Sequence, residues 1–290
     1  MTLLPISDTR LAIDLSGSLL RVVTGALGGS IRCGSGGTPE GSLVDGKVMD
    51  PGAVASALRH LLARVEINDT RALMAASDSV ATFRVIKLPP AASDHDVDAA
   101  VARELPMDPE KMSTQWVDVH NGQFGRVVYA TAWDRGLVKT IAEVARLAGL
   151  EPVAIDLKST CLARAVAAPA CVVVDMASRP AEIVLIDGSV PQVWHSVRLD
   201  VAPGDDFGPA LAGPLRTVLR FYERRRDTEF EPSAPIFLAG EQVLASMATS
   251  ALSELVAHPV VQLPIPARVP LDIRYTTYLT CLGLLMRRTA

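Results

Sequence analysis

Four cysteines are scattered through 290 residues, at Cys33, Cys161, Cys171 and Cys281, and no two of them share a paired spacing. That distribution argues against a zinc motif and a disulfide framework, and leaves buried reduced thiols as the expectation. Aromatic residues supply only 4% of the chain, so a core must be built mainly from Ala, Val and Leu. Long apolar runs are missing too. Stretches such as Cys171 to Val174 and Tyr278 to Met286 are interrupted by polar residues well short of the roughly 20 needed to cross a bilayer. Positive charge is not in excess: the net charge is -4, which offers no long-range attraction to nucleic-acid phosphates, so no nucleic-acid partner is expected. Met1 to Arg10 carries Asp8 and lacks an apolar run behind a basic start, unlike a secretory signal, so the expected location is cytoplasmic. There is no P-loop and no serine-nucleophile elbow, and His60, His95, His120, His195 and His258 have no metal-ligand spacing.

What the chain does have is 49% apolar and 21% charged residues, the profile of a packed soluble protein, over a length that allows one large domain or two. Leu11 to Leu15 and Leu19 to Val23 read as two strands joined by the turn Ser16-Gly17-Ser18. A glycine-rich stretch from Gly25 to Gly46 follows, and Asp50-Pro51 then opens a helix running to about Val65. From Val80 to about Leu150 the pattern is β-α-β-β-α: a strand, a helix capped at Ser93 and Asp96, two strands around Asn121-Gly122, and a helix from Asp134 to Gly149. The first pattern then returns. Cys171 to Asp175 ends in a turn and Ala181 to Ile186 resumes the strand; later a helix runs from about Pro209 to Arg226, and Ile236 to Gly240 enters another. The chain closes with an apolar helix expected from Tyr275 to Arg287.

The repeat carries chemistry. Asp14 and Asp175 each end an apolar strand just before a turn of small or polar residues. Two such hairpins facing one another would surround a cleft with two carboxylates and two sets of backbone N–H groups. Successive N–H groups in a turn suit phosphate, and carboxylates suit a magnesium ion that retains its waters. An Asp before a turn also commonly bonds the turn's own backbone, so for either residue alone a structural role remains open.

With these motifs in order, the chain resembles the actin-like ATPases. Leu11 to Val23 is similar to the first phosphate hairpin of that superfamily, Cys171 to Ile186 to the second, and Ile236 to Glu241 to the adenosine-contacting strand and turn. Within the superfamily it resembles the PilM family of type IV pilus assembly proteins. The resemblance rests on Asp45 to Pro51, Phe83 to Pro89, Ala148 to Pro152 and Leu282-Gly283-Leu284. It implies an α/β, actin-like (ribonuclease H-like) two-lobed fold, with a first lobe over 1–79, an inserted FtsA-type β-α-β-β-α subdomain over 80–155, and a second lobe over 156–290, which the short stretch from Leu199 to Pro214 marks as reduced. It implies nucleotide or phosphate contacts at Asp14, Ser16, Gly17, Ser18, Asp175, Ser178, Arg179 and Gly240, with Asp14 and Asp175 facing magnesium through water. It further implies a peripheral position at the cytoplasmic membrane, held by the cytoplasmic tail of a PilN-like inner-membrane protein in a groove beside the inserted subdomain.

The sequence departs from the superfamily pattern in ways that weaken ATP binding. No glycine follows Asp175, and Pro180 removes a backbone donor. Gly240 is followed by Glu241 rather than a second glycine, and Leu199 to Pro214 is too short for a closing subdomain over the base. The expectation is therefore a scaffold with a degenerate pocket, in which ATP and magnesium binding is weak or lost. An active ATPase or small-molecule kinase of the same superfamily is the alternative.

Overall fold

The computed structural model describes residues 11–105, 108–123, 125–176, 180–199, 207–240 and 248–287, with the side chains of Asn121 and of 248–250 left aside. The first sheet contains β1 (Leu11–Asp14), β2 (Leu19–Gly25), β3 (Ile31–Gly37), β6 (Arg71–Ala76) and β10 (Glu151–Leu157) in the order β10-β6-β1-β2-β3. The β1, β2 and β3 strands form an antiparallel meander, while β6 and β10 add in parallel. The second sheet repeats the plan. Its strands β11 (Ala170–Asp175), β12 (Ala181–Asp187), β13 (Val190–Val197), β14 (Ile236–Ala239) and β15 (Val260–Val261) run β13-β12-β11-β14-β15, again a meander followed by parallel additions. The β1–β2 and β11–β12 hairpins are thus equivalent, as the sequence repeat predicts.

Both central strands are buried on two faces, which is why they read as unbroken apolar runs. Leu11 and Ile13 pack with Leu58 and Leu61 of α1 (Pro51–Arg64), while Ala12 packs with Cys281 and Leu282 of α7 (Leu279–Leu285). Val172 and Val174 pack with Leu211, Leu215 and Val218 of α5 (Gly208–Arg226). Cys171 and Val173 pack with Leu162 and Val166 of α4 (Lys158–Val166). The α4 helix runs from the end of β10 to the start of the second sheet's β11, so it connects the two halves of the fold. It meets α7 at Gly283, where an added Cβ would lie 1.9 Å from the Cys161 carbonyl oxygen.

A third, antiparallel sheet has the order β7-β9-β8, from β7 (Ala81–Leu88), β8 (Met112–Gly122) and β9 (Gly125–Asp134). Ile86, Val128 and Ala130 of this sheet bury Val97 and Val101 of α2 (Asp94–Glu104). The α2 start carries a capping box: Asp96 Oδ2 accepts from Ser93 N at 2.8 Å and Ser93 Oγ accepts from Asp96 N at 3.3 Å. Asp134 Oδ1 accepts from Leu137 N at 3.0 Å and starts α3 (Arg135–Leu147), which returns the chain to the α1 layer through Ile141 and Val144. A short β4 (Leu43–Val44) and β5 (Lys47–Val48) ribbon precedes α1, and α6 (Ala248–Leu255) precedes β15.

Two expectations change. The glycine-rich stretch contains β3, whose small residues let the strand lie against α1: a Cβ on Gly34 would meet Val65 Cγ2 at 2.4 Å. The closing helix covers only Leu279–Leu285, because Thr277 and Tyr278 make three-residue turns back to Arg274 and Tyr275. The helix expected from about Pro209 to Arg226 is α5, which takes Pro214 into its interior.

Candidate functional site

Asp14 and Asp175 occupy matching places at the ends of β1 and β11, but the residue opposite each differs in sign. Asp14 is paired across its hairpin with Arg21, and Asp175 with Glu182. All four side chains are buried. At the first hairpin, Asp14 Oδ1 accepts from Ser16 N at 2.9 Å and from Ser16 Oγ at 2.5 Å, closing the turn on itself. Its Oδ2 lies 3.8 Å from the Arg21 guanidinium. The first carboxylate thus has a turn and a cation of its own.

The second hairpin brings two carboxylates together, and two buried anions require a cation. Lys158, the first residue of α4, supplies it: Nζ lies 2.7 Å from Asp175 Oδ2 and 2.5 Å from Glu182 Oε2. Burial opposes the charge on Lys158, but the fields of Asp175, Glu182 and Asp14 outweigh it and hold the ammonium above the usual lysine range. Burial pushes the Glu182 carboxyl up against the pull of Lys158. The next residue of α4 is held from the other side. Asp78 Oδ2 accepts from Ser159 N at 2.9 Å, Ser159 Oγ donates to Asp78 Oδ1, and the carboxylate sits where the helix N-terminus favours negative charge. Burial raises Asp78 to about 7, with the Ser159 hydrogen bonds working in the opposite direction.

A cavity of about 630 Å³ opens beside this cluster. Ser16, Gly17 and Ser18 of the first turn line it, together with Met176 and Glu182 of the second hairpin and Arg198 beyond β13. It has room for a nucleotide, but the carboxylates do not suit a hard divalent cation as they stand. Magnesium would have to displace the Lys158 ammonium from Asp175 and compete with Arg21 and Ser16 at Asp14. Among the described residues, no group of three or more His, Cys, Asp or Glu could hold a metal ion.

A second hollow, of about 300 Å³, lies between the third sheet and the α4 connection. Val117, Tyr129 and Trp133 form one wall, and Asp156, Thr160 and Arg164 face them. Arg164 and Arg287 both bind the Asp156 carboxylate. The β8 strand is an edge of its sheet, so its outer N–H and C=O groups are open to a further strand.

No protein-family model matches the sequence, and no curated protein matches it. Solved structures do. A chain of the "PilM-PilN type IV pilus biogenesis complex" superposes with a TM-score of 0.74 at 20% identity, over 95% of this chain and 97% of that one. The fold is PilM-like. The ethanolamine utilization protein EutJ from Carboxydothermus hydrogenoformans follows at TM-score 0.53 and 14% identity, covering 96% of this chain and 89% of that one. The cytoplasmic domain of EpsL, an inner-membrane component of the Vibrio cholerae type II secretion system, has TM-score 0.53 and 11% identity, covering 96% and 95%. These likenesses establish the two-lobed actin-like architecture.

On this PilM-like fold the expected site residues divide into three groups. Asp14, Ser16, Gly17, Ser18 and Asp175 gather at the interlobe cluster and its cavity. Gly240 is not among the described residues lining that cavity; at φ 104°, its N–H donates to Thr276 O at 2.9 Å. Ser178 and Arg179 lie outside the described residues, as does Glu241. Lys158, Glu182 and Asp78 went unnoticed. For Glu182 a signal was present: an acid leading into the buried apolar run Ile183 to Ile186 of β12 must find a buried partner.

Proposed function

We propose that the chain is a scaffold of a type IV pilus or related secretion platform, which holds an extended cytoplasmic segment of a PilN-like inner-membrane protein in the hollow beside β8. The observation that carries this reading is the aromatic-walled hollow along an open strand edge, with a polar floor at Asp156 and Arg164. An extended peptide gains main-chain hydrogen bonds from such an edge and specificity from the pockets beside it. The PilM-like fold supports the assignment, and the tail would keep the protein at the inner face of the membrane. No described helix is long and apolar enough to cross a membrane on its own.

In this reading Asp14 and Asp175 are structural charges and not magnesium ligands, and the interlobe cavity is not a working ATPase site. The buried Lys158 ammonium supports that view, because it stands where a metal would have to stand. Weak nucleotide binding is a second reading, favoured by the size of the cavity and by the serines of the first turn.

The test is a fluorescence anisotropy titration of a labelled peptide, the cytoplasmic tail of the PilN-like protein, against the purified chain and its Val117→Arg variant. Val117 is 57% exposed, so the change leaves the fold intact. Saturable binding that Val117→Arg weakens at least about tenfold supports the reading. Absence of binding, or binding indifferent to the substitution, overturns it.

A further inference from the structure

The α5 helix buries Leu211, Leu215, Val218, Leu219 and Tyr222 on one side. Its other side exposes Thr217, Arg220, Phe221, Arg224 and Arg225, which line a depression of about 540 Å³. Their spacing by three and four residues puts them on one stripe. Phe221 is 53% exposed, and it is the one aromatic among the large apolar residues exposed in the described structure. A chain with so few aromatics places one of them in water, ringed by arginines.

The arginines are short of counter-charge. Among the described residues, no ion pair involves Arg84, Arg220, Arg224 or Arg225. Partial burial and then the fields of Arg84, on β7, and Arg226 make the charge on Arg225 harder to hold, with Glu104 working in the opposite direction. The end of a helix favours positive charge, but that preference accounts for neither the exposed ring nor the contribution of Arg84 from another sheet. On a protein whose net charge is -4, this is a concentrated basic face with an apolar centre.

We propose that the exposed stripe of α5, with Arg84 beside it, docks on an anionic phospholipid surface. Guanidinium groups bond lipid phosphates through planar forks, and an aromatic ring among them enters the headgroup boundary. The complementarity is of charge: a basic face with an aromatic ring at its centre suits a broad anionic surface, whereas the hollow beside β8 suits a strand. The acidic remainder of the protein would orient it with α5 toward the lipid. None of the residues of the contact lines the tail-binding hollow, and the contact does not depend on the scaffold reading.

The test is co-sedimentation of the purified chain, without any partner, with vesicles of phosphatidylcholine alone or with about a third phosphatidylglycerol. Each basic residue near such a surface changes partitioning about fivefold, so Arg224→Glu/Arg225→Glu is expected to lower binding by well over tenfold. Phe221→Ser tests the apolar centre and is expected to weaken binding several-fold with all charges intact. Binding to the anionic vesicles that both variants weaken and that added salt screens is the expected result. Sedimentation no greater than with phosphatidylcholine alone, or unchanged in the charge-reversed variant while its melting curve matches the parent's, overturns the proposal. So does retention on immobilised polyglutamate without vesicle binding, which assigns the face to an acidic protein segment.

Discussion

Replacing Lys158 with Met is the sharpest perturbation of the interlobe cluster. The side chain keeps its length and apolar stem, but Asp175 and Glu182 lose the ammonium that lies within 2.7 Å of both. Removing one partner of a buried ion pair costs about 3–5 kcal/mol, because the remaining charge is left uncompensated. At about 2–4 °C per kcal/mol, the melting temperature should fall by roughly 6–20 °C near pH 8. The loss should shrink near pH 5. Without Lys158 both carboxyls are pushed above their unfolded values, so the variant gains stability as they take up protons and loses it as the pH rises again. Millimolar magnesium should raise the melting temperature of Lys158→Met and leave the parent unchanged, since only the variant frees the carboxylates. Adding Asp175→Asn and Glu182→Gln to Lys158→Met should recover most of the loss. Differential scanning fluorimetry at the two pH values measures all of this. A Lys158→Met protein that melts within about 2 °C of the parent at both would refute the argument that the ammonium is the counter-charge of a buried pair.

Asp78, raised to about 7, binds its proton more tightly folded than unfolded, so its contribution to stability is fully present below the ordinary carboxyl range and is lost as pH rises through 7. Denaturant titrations of the parent and of Asp78→Asn should therefore show the parent losing ground to the variant between about pH 4 and pH 7; a constant difference would count against the burial argument. Gly283→Ala forces α7 away from the Cys161 carbonyl, which as backbone cannot move aside cheaply, and should destabilise by about 2–3 kcal/mol in urea unfolding. Millimolar Mg-ATP should leave the melting temperature of the parent unchanged, whereas a ligand at a hundred times its Kd would add about 2.7 kcal/mol; a clear shift, lost in Asp14→Ala, would return the ATPase reading to first place.

The hairpins were legible because a strand buried on both faces is an uninterrupted apolar run, and because the run occurs twice with an Asp at the same place. Helix starts at Asp50, Ser93 and Asp134 were legible because each cap is satisfied within three residues. What escaped depends on distance along the chain. Lys158 reads as an unremarked base after β10 until α4 brings it to Asp175 and Glu182, and Asp78 meets Ser159 only through the fold. Gly34 reads as loop, although its missing Cβ is what lets β3 approach α1. The hollow beside β8 is assembled from β8, β9, β10, α4 and β13, and no single segment carries its signature.

The tethered ammonium also restricts how this sequence can change. Losing Lys158 first takes from two buried acids the ammonium they share, and losing both acids first takes from a buried base its two carboxylates; each order passes through a protein several kcal/mol less stable than its starting point. A route from this chain to one that coordinates a metal between its halves must therefore cross a valley, or borrow stability gained elsewhere beforehand. The ion triad thus ties any change at Lys158 to a change at both acids.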